Sequence, residues 1–166
     1  ALTSPISRSS IALGKMSAIS LIAALQASLI IGIALAIGVR FPNPIMIAPI
    51  MVIVILFSLG FSGISVMIAA TAKSQETFWG MINFLGMPLF MLSPALFPLE
   101  LLPNWLAVVA KLNPVTYTIL LVRELMTGVS EGGIPILLSL GVLIAFVLVM
   151  IGLASYVFTR EVNKPF

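Results

Sequence analysis

The chain has 166 residues, of which 61% are hydrophobic and 8% charged, and its net charge is +3. A soluble domain carries about 25% charged residues, so this composition excludes a water-facing surface and makes a lipid bilayer the solvent. There is no Cys, His or Asp. That leaves no catalytic residue, cofactor-binding group or metal ligand set to assign, because thiolate and imidazole sites, a Ser-His-Asp arrangement and the commonest general base are all missing. The eight Lys and Arg are scattered and form no basic run for nucleic acid.

The first residues, 1–14, are not a span. Ser4-Pro5-Ile6-Ser7-Arg8-Ser9-Ser10 reads as a turn followed by the start of a helix, with Ser as a cap. The chain starts at Ala1 without a signal-peptide pattern, which suggests part of a longer chain. Gly14-Lys15 lacks the upstream Gly and following Ser or Thr of a phosphate-binding loop, so Lys15 reads as an interfacial anchor.

Charges divide the rest. The uncharged runs are 24 residues between Lys15 and Arg40, 32 between Arg40 and Lys73, 23 between Glu76 and Glu100, and 28 between Glu131 and Arg160. A helix needs about 20 apolar residues to cross the hydrocarbon core, and lipid forces such segments to be helical. Four spans are therefore predicted, at 15–39, 45–72, 77–95 and 134–159. Phe41-Pro42-Asn43-Pro44 breaks the chain between the first two, and Pro88 and Pro94 weaken the third. Gln26 and Asn83 are candidate interhelical hydrogen bonders. Gly60 and Gly63, with Ser58, Ser62 and Ser65, offer a small-residue face for close packing. Lys73 and Glu76 are three apart and suit a weak surface pair.

Residues 98–127 differ. Their uncharged runs are only 10 and 11 residues, and Pro98, Pro103 and Pro114 punctuate them. Two short helices, 103–112 and 115–126, are predicted to enter one leaflet and return. Trp105 and Tyr117 suit the headgroup level. Arg123 and Glu124 read either as anchors or as a charge network with Glu100. No Glu lies mid-span, which argues against a proton-coupled carrier.

The fold class expected is thus an all-α membrane protein, with four transmembrane helices and a re-entrant helix pair on the outer side before the last span. Four spans place Arg8, Lys15, Lys73, Arg160 and Lys164 on one side and Arg40, Lys111 and Arg123 on the other. The richer side is expected to be cytoplasmic, with both termini of this segment.

The residues Ser93-Pro94-Ala95-Leu96-Phe97-Pro98, then Leu102-Pro103-Asn104-Trp105-Leu106, then Leu112-Asn113-Pro114-Val115-Thr116-Tyr117, then Val122-Arg123-Glu124 carry a recognisable pattern. It resembles the signature of type-2 ABC exporter permeases, which export drugs, polysaccharides and lipids. Ser4-Pro5-Ile6-Ser7-Arg8 before Leu13-Gly14-Lys15 resembles that family's cytoplasmic segment before its third span. Ala72-Lys73-Ser74-Gln75-Glu76 resembles its next cytoplasmic loop.

The resemblance implies a multi-pass permease of the cell (plasma) membrane, with the family's first two spans missing from this sequence. It implies that Ser4, Pro5, Ile6, Ser7, Arg8 and Lys73 couple to an ATPase. Pro98, Leu102, Pro103, Trp105, Asn113, Pro114, Tyr117 and Arg123 would build an outer gate. The expected partners are an ABC ATP-binding subunit, a second permease copy or paralogue, and the bilayer. ATP and Mg would sit on the ATPase, with no cofactor and no enzyme activity on this chain. A secondary carrier and a non-transport scaffold are the alternatives.

Overall fold

The computed structural model describes residues 8–39, 43–96, 98–130 and 133–162. Among them are six α-helices: α1 (Arg8–Ala36), α2 (Ile47–Thr71), α3 (Gln75–Met91), α4 (Asn104–Leu112), α5 (Pro114–Thr127) and α6 (Ile136–Val162). Short 3-10 turns at Pro44–Met46 and Leu99–Leu101 precede α2 and α4. No strand occurs among the described residues.

Three helical stretches are long and apolar enough to cross a membrane: Ser10–Ala36, Pro44–Thr71 and Ile136–Arg160. These are the first, second and last of the four spans expected. The third expected span falls on α3, which is not among these stretches: its 17 residues cover about 25 Å at ~1.5 Å per residue. Its interior Pro88 removes one ladder hydrogen bond, and the helix ends at Met91, before the expected 95.

The first helix starts earlier than its charge boundary. No helix breaker stronger than Gly14 lies between Arg8 and Lys15, so 8–14 is continuous with α1 and not a separate segment. A single glycine costs a helix only about 1 kcal/mol.

α1, α2 and α6 pack on one another, and α5 leans on α2 and α6. The buried face of α1 is Ala12, Met16, Ser20 and Ala24, one residue per turn. Three clusters of buried side chains can be separated. One gathers Ala12, Met16, Val66 and Ala154. Another gathers Ile53, Leu121, Leu143 and Val147. The last gathers Leu99, Ala110, Leu120 and Ile134, where α4, α5 and the start of α6 meet. Large apolar side chains outside these clusters, such as Leu25, Leu29, Phe84 and Leu148, are exposed. That is the pattern of a chain solvated by lipid tails.

Gly60 and Gly63 let α2 and α6 approach closely. A Cβ on Gly60 would stand 2.7 Å from Cε1 of Phe146, and one on Gly63 would stand 3.0 Å from the main-chain oxygen of Met150. Ser62, also buried, donates to the Leu59 carbonyl at 2.7 Å and reaches the Met16 carbonyl of α1 at 3.4 Å. Gln26 and Asn83 are exposed, so neither forms the interhelical contact envisaged for it within this chain.

Candidate functional site

The densest polar construction lies where α3 ends and α4 meets α5. α4 and α5 form a bend of 91° at a break of a single residue, Asn113. Pro114 occupies the first turn of α5, where its missing N–H costs nothing. Asn113 caps that helix, its Oδ1 accepting from the Val115 N–H at 3.0 Å. Its Nδ2 donates to the Leu89 carbonyl of α3 at 2.5 Å.

The other end of the bend is closed by hydroxyls. Thr116 is fully buried and donates to the Ala110 carbonyl at 2.7 Å. Tyr117 donates to the Lys111 carbonyl at 2.6 Å. The last carbonyls of a helix have no donor within it, so α5 side chains satisfy the end of α4 and fix the angle between the two. α5 itself ends at Gly128, whose φ of 71° and N–H bond to Glu124 make a left-handed cap.

Arg123 ties this unit back to the segment after α3. Its Nη2 donates to the Pro94 carbonyl at 3.0 Å across 29 positions. Glu100, the partner envisaged for it, is exposed in the 3-10 turn. Pro94 and Ser93 are buried beside it, and Ser93 donates to the Phe90 carbonyl. A hollow of about 360 Å³ lies against Arg123, lined also by Thr118, Ile119, Val122, Met126 and Thr127.

The remaining residues of the expected gate fall around this core. Pro98 precedes the 3-10 turn and Pro103 precedes α4. Leu102 packs with Tyr117 against the cluster of Leu99, Ala110 and Leu120. Trp105, 70% exposed, shares one face of α4 with the exposed Val108 and Leu112. All eight expected gate residues therefore lie on one continuous stretch from 98 to 123.

The expected coupling residues lie elsewhere. Ser4, Pro5, Ile6 and Ser7 fall outside the described residues, and Arg8 opens α1. Lys73 is exposed in the turn between α2 and α3. Ser74 caps α3 there, accepting from the Thr77 N–H at 3.1 Å.

Three features escaped the sequence. Thr116 stands inside the Asn-Pro-Val-Thr-Tyr motif, and its burial marks it as a fixed part of the bend. The carbonyls of Leu89 and Pro94 carry no sequence signal, since every residue has one. Lys15 places its Nζ 5.6 Å from the ring centroid of Phe158, a pairing 143 positions apart. No group of three acidic, His or Cys side chains able to hold a metal occurs among the described residues.

The family model for the ABC-2 type transporter matches residues 1–127, which run from the segment before α1 to the end of the bent pair. The chain belongs to the ABC-2 type transporter family. A protein named as the putative transport permease ycf38, from Cyanophora paradoxa, is 30% identical over 119 residues. That match covers 72% of this chain and 41% of the relative, so the chain spans less than half of the relative's length. No solved structure matches. The ABC-2 chain is thus an integral membrane protein of the transport-permease type, and its most elaborate polar construction falls within the part that the family model covers.

Proposed function

We propose that this chain is the transmembrane subunit of an ATP-driven exporter. ATP and Mg are bound and hydrolysed on a separate ABC subunit, and two permease copies or paralogues face each other. The cargo is an amphipathic drug, lipid or glycan. Membership of the ABC-2 family is the observation that carries this reading.

In this reading α3 is the third of four spans, its short length completed by the turn after Met91. The bent pair α4–α5 is re-entrant from the outer side. Two features support that placement. Trp105 is exposed on α4, as a headgroup-level aromatic would be. The backbone freed by Pro94, Pro98 and Pro103 lies in a segment partly held by protein groups such as Arg123, which non-helical backbone at membrane depth requires. The richer set of cations, Lys15, Lys73 and Arg160 among them, then faces the cytoplasm of the cell membrane. The segment from Ser4 to Arg8, with Lys73, receives the ATPase movement and passes it into α1. Two alternating states of the permease pair convert that movement into outward release.

The test is co-purification of a tagged full-length protein from native membranes, with mass spectrometry of what accompanies it. An equimolar ABC ATP-binding subunit is the expected result. A well-folded sample without that subunit would overturn the reading in favour of a carrier or scaffold.

A further inference from the structure

A hollow of about 330 Å³ opens at the end of the bundle opposite the bent pair. Its walls are Lys15, Ala18, Ala69, Ala70, Phe78 and Phe158 among others, drawn from α1, α2, α3 and α6. The volume falls at the lower end of the range for small-molecule sites, ~300–1,000 Å³. Small side chains make the space: Ala18, Ala69 and Ala70 stand where larger residues would close it. The lining contains one charge, Lys15, and no acid. Lys15 lies within the apolar stretch Ser10–Ala36. It stands five residues from the start of that stretch, near enough to the end for its long stem to reach the interface, and its Nζ lies 5.6 Å from the centroid of the Phe158 ring.

A second hollow, of about 410 Å³, adjoins the first. The two share Ala69 and Phe78. This one is lined by the polar turn Lys73, Ser74 and Gln75 and by Trp79. Together they form a groove with an apolar compartment, a polar compartment and a cation on each. Glu76 lines neither.

We propose that this groove holds one anionic phospholipid. An acyl chain lies against Ala18, Ala69, Ala70 and Phe78. The headgroup sits between Lys15 and Lys73, where the Ser74 hydroxyl and the Gln75 amide can donate to its phosphate. Basic pockets between membrane helices recognise acidic headgroups by this combination of charge and shape. The long Lys stem lets an ammonium at this depth reach a phosphate at the interface. The site is separate from the bent pair and shares Lys73 with the proposed ATPase contact.

Native mass spectrometry of the full-length protein in detergent tests this, with phosphatidylglycerol and phosphatidylcholine as probes. One retained phosphatidylglycerol per chain is expected, in preference to phosphatidylcholine. Lys15→Gln should weaken that preference about fivefold, and Lys15→Arg should restore it. Lys15 is exposed, so these variants leave the bundle intact. Ala69→Phe, or the milder Ala18→Leu, should fill the apolar compartment and remove the bound lipid with both lysines present. Lys111→Gln, on α4, should leave the preference unchanged. Equal retention of both lipids would overturn the proposal, as would an unchanged preference in Lys15→Gln. Binding that responds to Lys15 but ignores both filling variants would mean surface charge attraction without a groove, and would overturn it too. So would a full-length chain that retains no lipid because another segment occupies the space.

Discussion

The side-chain amide of Asn113 donates to the main-chain carbonyl of Leu89, joining the bend between α4 and α5 to the last turn of α3. That carbonyl would ordinarily accept from the N–H of Ser93, four residues on. The Ser93 N–H instead turns to Phe90 at 3.2 Å, because the helix ends there. Asn113, only 4% exposed, supplies the missing donor and at the same time caps α5. One side chain thereby serves two helix ends that lie 24 positions apart.

Replacing Asn113 with Ala should lower the thermal stability of the detergent-solubilised protein. Loss of a helix cap costs about 0.5–2 kcal/mol, and the part-buried Leu89 carbonyl left without a donor adds less than the ~1–3 kcal/mol of a fully buried one. Asn113→Ser can still cap Val115 but is too short to reach Leu89, so it should recover only the first part. Melting curves of the three proteins check this. An Ala variant that melts with the wild type would show that the link to α3 contributes nothing.

Arg123 makes the companion link, to the Pro94 carbonyl. A charge-assisted hydrogen bond of this kind contributes about 1.5–3 kcal/mol. Arg123→Ala should reduce the yield of folded protein, or the export proposed for it, by about tenfold or more, the factor that 1.4 kcal/mol represents. Arg123→Lys keeps the charge but not the planar donor set and should fall between. Flux in cells expressing equal amounts of each variant separates the two effects. Wild-type flux and yield in Arg123→Ala would reduce the residue to an interfacial anchor.

The sequence exposes much of this architecture because lipid simplifies the code. Charges mark the limits of apolar runs, and at Lys73 such a limit coincides with the end of a long helix, α2; prolines such as Pro114 mark a bend. Gly60, Ser62 and Gly63 announce close packing, since small residues on one face have few other uses in lipid. Chain partners are harder to read. Arg123 signals that a partner is needed, but one partner it finds is a main-chain carbonyl, a group identical in every residue and selected only when the chain folds. Gln26 and Asn83 carry the same signal and are exposed, so polarity alone does not reveal which residues meet within the chain. The start of a helix was legible before Ser10, but its continuity with the first span was not, because charge gaps mark apolar limits and say nothing of where a helix begins.

The glycines of α2 separate packing from propensity. A methyl on Gly63 would press on the main chain of Met150, which cannot rotate away, whereas Gly14 on α1 has nothing within 4 Å of its ideal Cβ. Gly63→Ala should therefore destabilise the α2–α6 contact by about 1–3 kcal/mol, the usual cost of overpacking. Gly14→Ala should be neutral or stabilising by up to about 1 kcal/mol, the difference in helix propensity. Unfolding in denaturing detergent, followed by loss of helical circular dichroism, measures both. Equal effects at the two positions would mean that α2 and α6 are not in close contact.

Topology can be tested by single-cysteine labelling, since these 166 residues contribute no cysteine of their own and any other in the full-length protein is first replaced. Ser74 lies in the turn between α2 and α3, and Ser130 lies between α5 and α6; both are exposed. If α3 crosses the membrane and the bent pair re-enters, these positions face opposite sides. Ser130→Cys in intact cells should then react with a membrane-impermeant maleimide, while Ser74→Cys should react only after permeabilisation. Ser74 also caps α3, so Gln75→Cys provides a second probe of that turn that keeps the cap. If α3 stays on one side while the bent pair re-enters, or if α3 and the bent pair both cross, Ser130 and Ser74 share a side and label together. If only the bent pair crosses they are opposed again, and Glu100→Cys, exposed before α4, then labels with Ser74 instead of with Ser130. Labelling of both before permeabilisation, or of neither, would remove the outward placement of the Asn113 bend and with it the proposed gate.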